Sequence, residues 1–189
     1  MVFRRGCALL AGLLVAAAVQ GQTEESRTLE LDDGARVTYT LRTFPVGAHL
    51  VRPAAELAPD SALNAANLLI LQLSTGDIEA AALLSNAPRR RFEELLTFRE
   101  RFGEEEFKRV FAQYYLPENR LVAEIAIEKH RLLIWNLRDS ATRIAGQFFV
   151  EVDGRYLMDD RPNDVRTQLH RVLEAYQART IGVEPKPSP

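Results

Sequence analysis

Glu124 and Trp135 are the residues of this 189-residue chain whose types and placement come closest to chemistry. They lie in two strand-like runs, LVAEIAIE from Leu121 and RLLIWNLR from Arg131, separated by Lys129-His130. If those two residues form the turn, Glu124 stands opposite Trp135, Ala126 opposite Leu133 and Val122 opposite Leu137. Ile125 and Ile127 then face Ile134 and Leu132 on the other side. A carboxyl beside an indole in a semi-apolar cleft loses solvation, which raises its pKa and prepares it for general acid/base proton transfer. The structural alternative has Glu124 reaching an arginine or solvent at the rim while Trp135 packs the core. Lys-His is a poor two-residue turn, and one residue of slip moves Glu124 away from Trp135.

No other pattern offers chemistry as directly. There is no Gly-x-Ser-x-Gly elbow, phosphate loop or His-Glu-x-x-His helix. His49, His130 and His170 are far apart with no ligand-like spacing, so neither a metal nor a cofactor is expected. Asp159-Asp160 with Asp164 reads as a strand exit and helix start rather than a cation site. Arg89-Arg90-Arg91, followed at once by Glu93-Glu94, reads as a solvated helix start. His170 and Glu174 form an i,i+4 surface pair.

The elements that must position Glu124 follow from periodicity. Residues 28–43 alternate as a β-hairpin, and a three-residue loop at Asp32-Asp33-Gly34 pairs Leu29 with Val37 and Glu30 with Arg36. Asp60 or Ser61 caps a broadly apolar helix to about Leu73, Thr75-Gly76 breaks it, and Asp77 caps a short helix ending near Asn86. Pro88 opens a third helix, with Phe92, Leu95, Leu96, Phe98 and Phe102 as its inner stripe and Gly103 as its stop. Glu104-Glu105-Glu106 begins a fourth, whose Phe107, Val110, Phe111 and Tyr114 share one face. Four strands follow. The last two, QFFVEV and RYLMD, are joined by Asp153-Gly154; a two-residue turn sets Glu151 opposite Tyr156, and a three-residue turn sets Glu151 opposite Arg155. Pro162-Asn163-Asp164 then starts a last helix bearing Val165, Leu169, Val172, Leu173 and Tyr176 on one side. The fold class is α+β: an N-terminal β-hairpin, a cluster of amphipathic helices on a curved antiparallel sheet, and a C-terminal helix.

Because the strands around Lys129-His130 are apolar on both faces, both faces must be covered, one by helices and the other by a cleft or by a second copy of the chain. A homodimer through the sheet face is therefore one expectation.

The first residues set the compartment. Arg4-Arg5, the apolar run Gly6 to Val19 and small residues ending at Gly21 have the form of a cleaved signal peptide, residues 1–21. The run is shorter than the roughly 20 residues that span hydrocarbon, so no transmembrane anchor is expected after cleavage. Cys7, the single cysteine, leaves with it, and the formal net charge passes from −2 to about −4. A cysteine-free, mildly acidic chain without an Asn-x-Ser/Thr acceptor suits a bacterial periplasmic or secreted protein; thiol catalysis and nucleic-acid binding are not expected. Residues 22–182 read as one α+β domain, and 183–189, with three prolines, as a disordered tail.

The stretch AANLLILQLSTGDIEAAALLS, Ala65 to Ser85, resembles the opening helices of NTF2-like proteins, where a long helix, a Gly-Asp break and a second helix precede a curved antiparallel sheet. The resemblance covers roughly residues 61–160 and implies fold only. The leading hairpin and trailing helix depart from the usual pattern, and a cystatin-like arrangement stays open. The resemblance implies a pocket between sheet and helices lined by Glu124, Trp135 and either Glu151 or Tyr156. The function expected is a non-enzymatic periplasmic binding or envelope-accessory domain for a small apolar ligand or an envelope protein. The second expectation is a small acid/base enzyme of isomerase, cyclase or dehydratase type, with Glu124 as the proton-transfer group.

Overall fold

The computed structural model describes residues 24–30, 34–50, 57–138 and 144–181, with side chains to residue 178. The expected signal segment, Asp32-Asp33 of the first turn and the Pro-rich tail lie outside the described residues. Strands β1 (Glu24–Glu30) and β2 (Arg36–Thr43) form the N-terminal hairpin, followed by helices α1 (Ala62–Thr75), α2 (Ile78–Ala82), α3 (Pro88–Phe102) and α4 (Glu104–Ala112). A 3-10 turn, Gln113–Tyr115, leads to β3 (Arg120–Ile127), β4 (His130–Asn136), β5 (Ile144–Val152), β6 (Arg155–Met158) and α5 (Asp164–Ile181). The six strands form one open antiparallel sheet in chain order, so the α+β class and the order read from periodicity are observed.

Local chemistry accounts for the breaks. Ser61 Oγ accepts from the Asn64 amide at the start of α1, and Gly76, at φ 87°, closes it in the left-handed conformation. Asp77 accepts from Ala80 N to start α2, and Pro88 occupies the first turn of α3. Leu29 pairs with Val37 and Glu30 with Arg36, as the three-residue loop requires. Asp153 (φ 50°) and Gly154 (φ 76°) make a two-residue turn, which decides the second hairpin: Glu151 faces Tyr156 and Phe149 faces Met158.

The β3–β4 register differs from the expected one. Glu128, at φ 51°, and Lys129 form the turn, so Ile127 pairs with His130 and Glu124 with Leu133. His130 is kept in the strand by Asp159, whose Oδ2 lies 2.9 Å from its Nδ1, and Arg131 Nη1 donates back to the Glu128 carbonyl at 2.8 Å. Moving the turn by one residue changes every partner by two, so Glu124 keeps the face of Leu133 and Trp135 but is not opposite Trp135. A register irregularity between Leu121 and Ala123 places Leu121 opposite Trp135.

Each face of the sheet carries helix. On one, α5 brings Leu169, Val172 and Leu173 onto Leu41, Ile125, Leu132 and Ile134. The approach is close at Gly146, where a Cβ would stand 2.5 Å from Leu173 Cδ2. This is the Ile125/Ile127 face, the helix-covered side of the expected pair. On the other face, α1 sets Ala62, Ala66 and Ile70 against Leu133, Trp135 and Phe149. A further cluster joins α1 to α2, α3 and α4 through Leu69, Leu73, Ile78, Leu95 and Phe107. Phe102, expected on the inner stripe of α3, is instead 47% exposed and packs its ring on Phe98.

The exit of β6 ties these layers together. Met158 N donates to the Leu84 carbonyl and Asn86 N to the Met158 carbonyl. Asp159 and Asp160, both buried, receive Asn86 Nδ2 (2.8 Å) and Ser85 Oγ (2.7 Å) respectively, and Asn163 of the α5 start also donates to Asp159. Arg91 holds Asp160 bidentately, Nε at 2.9 Å and Nη2 at 3.0 Å. The aspartate pair is therefore a strand exit, as expected, but the basic run divides: Arg89 and Arg90 pair with Glu93 and Glu94 at the surface, while Arg91 turns inward. Arg91→Gln should lower the unfolding free energy by about 3 kcal/mol, since it leaves a buried carboxylate without its cation. Arg89→Gln should change it by less than about 0.5 kcal/mol. Denaturant unfolding of the two variants checks the contrast.

Candidate functional site

The helix layer does not cover the whole face on which Glu124 lies. α1 packs against β4, β5 and β6, and beside its first turn a cleft of about 390 Å³ opens over β1 to β4. That volume lies within the range of small-molecule sites. Period-2 alternation explains which residues form its floor: Leu41 and Ile125 point to α5, so their neighbours Thr40, Arg42, Glu124 and Ala126 point the other way. The strand pairing aligns Glu24, Arg42 and Glu124 in one row and Thr40, Ala126 and Arg131 in the next. Tyr156 of β6 forms a wall, held against the start of α1 by its amide donating to the Pro59 carbonyl at 2.7 Å. Asp60, Ser61 and Ala62 complete that side, and Glu128 lies at the turn end.

Glu124 is the centre of the charge arrangement. It is 9% exposed, and its Oε2 accepts from Arg42 Nη2 at 3.0 Å while Oε1 lies 3.9 Å from Arg131 Nε. Burial pushes its carboxyl above the ordinary value; the neighbouring Arg42 and Arg131 charges offset part of that rise, and Glu24 adds to it. Arg42 also lies over the Phe44 ring and Arg131 over Tyr156, at 4.8 and 5.6 Å from the ring centroids. Arg131 Nη1 is pinned by two backbone carbonyls, those of Glu128 and His130, each at 2.8 Å.

Of the residues expected to line a pocket, Glu124 and Tyr156 do so together. Trp135 does not: it is fully buried, donates Nε1 to Gln147 Oε1 at 3.0 Å, and packs edge-on with His49 and Tyr114. Glu151 faces Tyr156 across the β5–β6 pair but is not among the cleft's lining residues. The expectation of an apolar ligand fits poorly with this lining, in which four carboxylates and two guanidiniums predominate. The alternative in which Glu124 reaches an arginine is the one observed, but neither Arg42 nor Arg131 was identified as that partner. The signal that could have found Arg42 was its alternation with Leu41 and Thr43 in β2, but placing β2 beside β3 needs a pairing across the whole helical segment.

The other histidines stand apart from this cleft. His49 is 1% exposed, and burial holds its imidazole below the ordinary value. His170 meets Glu174 at 3.3 Å on the surface, as expected. No group of acidic, histidine or cysteine side chains among the described residues has the arrangement of a metal site. No helix among them is long and apolar enough to cross a membrane.

No family model, curated protein or solved structure matches this chain.

The raised Glu124 pKa has a sign that can be tested. Its folded-state value lies above its unfolded one, so ionisation costs the folded state free energy as pH rises through that interval, and the cost is absent in more acid solution. Glu124→Gln mimics the protonated form. The stability of this variant relative to the parent should therefore increase from pH 3.5 to pH 7. A relative stability that falls over that range would show that the arginines outweigh desolvation.

Proposed function

We propose that the chain is an exported, non-enzymatic ligand-binding domain of the bacterial envelope, with the cleft over Glu124 as its binding site. The observation that carries this reading is a buried carboxylate set between two arginines on the floor of a concave cleft of ligand-sized volume. Such a triad fixes orientation and charge in advance, which lowers the ordering cost of binding a polar ligand. Export is supported by Arg4-Arg5 and the apolar run after them. The sequence of long helix, Gly76-Asp77 break and second helix before four strands supports an NTF2-like relationship, with β1–β2 and α5 as additions.

A second reading, an acid/base enzyme using Glu124, is favoured by one observation: burial holds this carboxyl above its ordinary value. The Arg42 contact weighs against it, because a guanidinium 3.0 Å away stabilises the ionised form and occupies one oxygen.

Amide chemical-shift mapping of the chain against a mixed library of small polar compounds tests the binding site. Perturbations concentrated at Thr40, Glu124, Ala126 and Arg131 are expected; none, or a scatter over the surface, would refute it. Mass spectrometry of the product from its native host tests export. A mature N-terminus at Gln22 is expected, and an intact residue 1–21 segment would contradict the periplasmic account.

A further inference from the structure

Charge in the cleft is unevenly used. Arg131 spends Nη1 on two backbone carbonyls, and its Nη2 makes no hydrogen bond to the described residues, although the side chain is only 21% exposed. A guanidinium has five N–H donors in a fixed fork, so Arg131 is held in place with donors left over. The start of the 14-residue helix α1 lies at the same cleft, with its Asn64 amide already capped by Ser61 Oγ. Asp60 and Glu128 line the same side, so what a ligand carboxylate would use there is the unspent fork of Arg131.

The β1 end carries Glu24. Glu24 pairs in register with Arg42, which itself contacts Glu124, and the Glu24 charge is felt at the Glu124 carboxyl. Neither Glu24 nor Glu128 forms an ion pair among the described residues, while Asp60 is engaged by Asn64 Nδ2 at 2.8 Å. Four carboxylates against two guanidiniums leave the lining with excess negative charge, which disfavours a purely anionic ligand. A purely cationic ligand would leave the Arg131 fork unused.

We propose that the cleft, read as a binding site, takes a small zwitterion of the amino-acid class, its carboxylate on Arg131 beside the start of α1 and its ammonium at Glu24 and Glu124. The two poles together give specificity, because an analogue lacking either charge leaves a partly desolvated group of the cleft without a partner.

Titration of the full chain with 4-aminobutyrate, n-butylamine and butyrate, followed by amide shifts at Thr40, Ala126 and Arg131, tests the inference. The zwitterion should bind at least about tenfold tighter than either analogue, the effect of one charge-assisted hydrogen bond. Glu24→Gln, an exposed change on an edge strand, should bring 4-aminobutyrate and butyrate to similar affinity. Arg131→Gln should do the same for 4-aminobutyrate and n-butylamine. Equal or tighter binding of either analogue by the parent chain overturns the proposal while leaving the cleft a binding site. Failure of all three probes overturns it too, and if the library compounds also leave the cleft residues unmoved, the binding-site reading falls with it.

Discussion

The structure depends on one constraint: the β3–β4 pair is apolar on both faces. Ile125, Leu132 and Ile134 face one way, Leu121, Leu133 and Trp135 the other, and all are essentially inaccessible to solvent. Such a pair has to be covered twice, because each exposed large side chain would forgo about 1.5–3 kcal/mol of burial. α5 supplies one cover and α1, backed by α2 to α4, the other. Glu124 is the polar interruption in that pair. It is tolerated because Arg42 and Arg131 compensate its charge where the helical cover ends, and the same place becomes the cleft.

The Asp159–Asp160 junction fixes how far the cover reaches. Its bonds to Ser85, Asn86, Arg91 and Asn163 join the α2–α3 connection and the α5 start to the end of the sheet. Its contact with His130 selects the β3–β4 turn. That turn in turn presents Glu128 and Arg131 to the cleft. The geometry of the site is thus set partly from a polar cluster on the far side of β4.

Much of the fold was legible in the sequence because local signals agreed. Ser61, Gly76, Asp77, Pro88 and Gly103 mark helix limits through capping and backbone conformation, and Asp153-Gly154 marks a hairpin turn, though not its length. The α5 stripe of Leu169, Val172 and Leu173 is buried as its spacing requires. What local signals could not supply was any choice decided by distant partners. The turn at Glu128-Lys129 requires a left-handed glutamate, which propensity disfavours, and it is favoured by Asp159 nearly thirty residues on. Arg91 looked like its neighbours Arg89 and Arg90 until Asp160 gave it a buried partner. For the site, Glu124 was visible as a carboxylate in an apolar strand, whereas Trp135, expected in the lining, is a core residue on its face. Arg42 enters only through the β2–β3 pairing, which follows an intervening helical segment of four helices.

The central claim is that Glu124 is a buried, arginine-compensated carboxylate at the floor of an accessible cleft. Carbon-detected NMR titration of its side-chain carboxyl in the full chain tests this most directly. A midpoint above the ordinary glutamate value of about 4.3 is expected, with a change in that midpoint when Arg42→Gln removes its principal partner. A midpoint at about 4.3 that is unmoved by the substitution would contradict it, because it would place Glu124 in solvent.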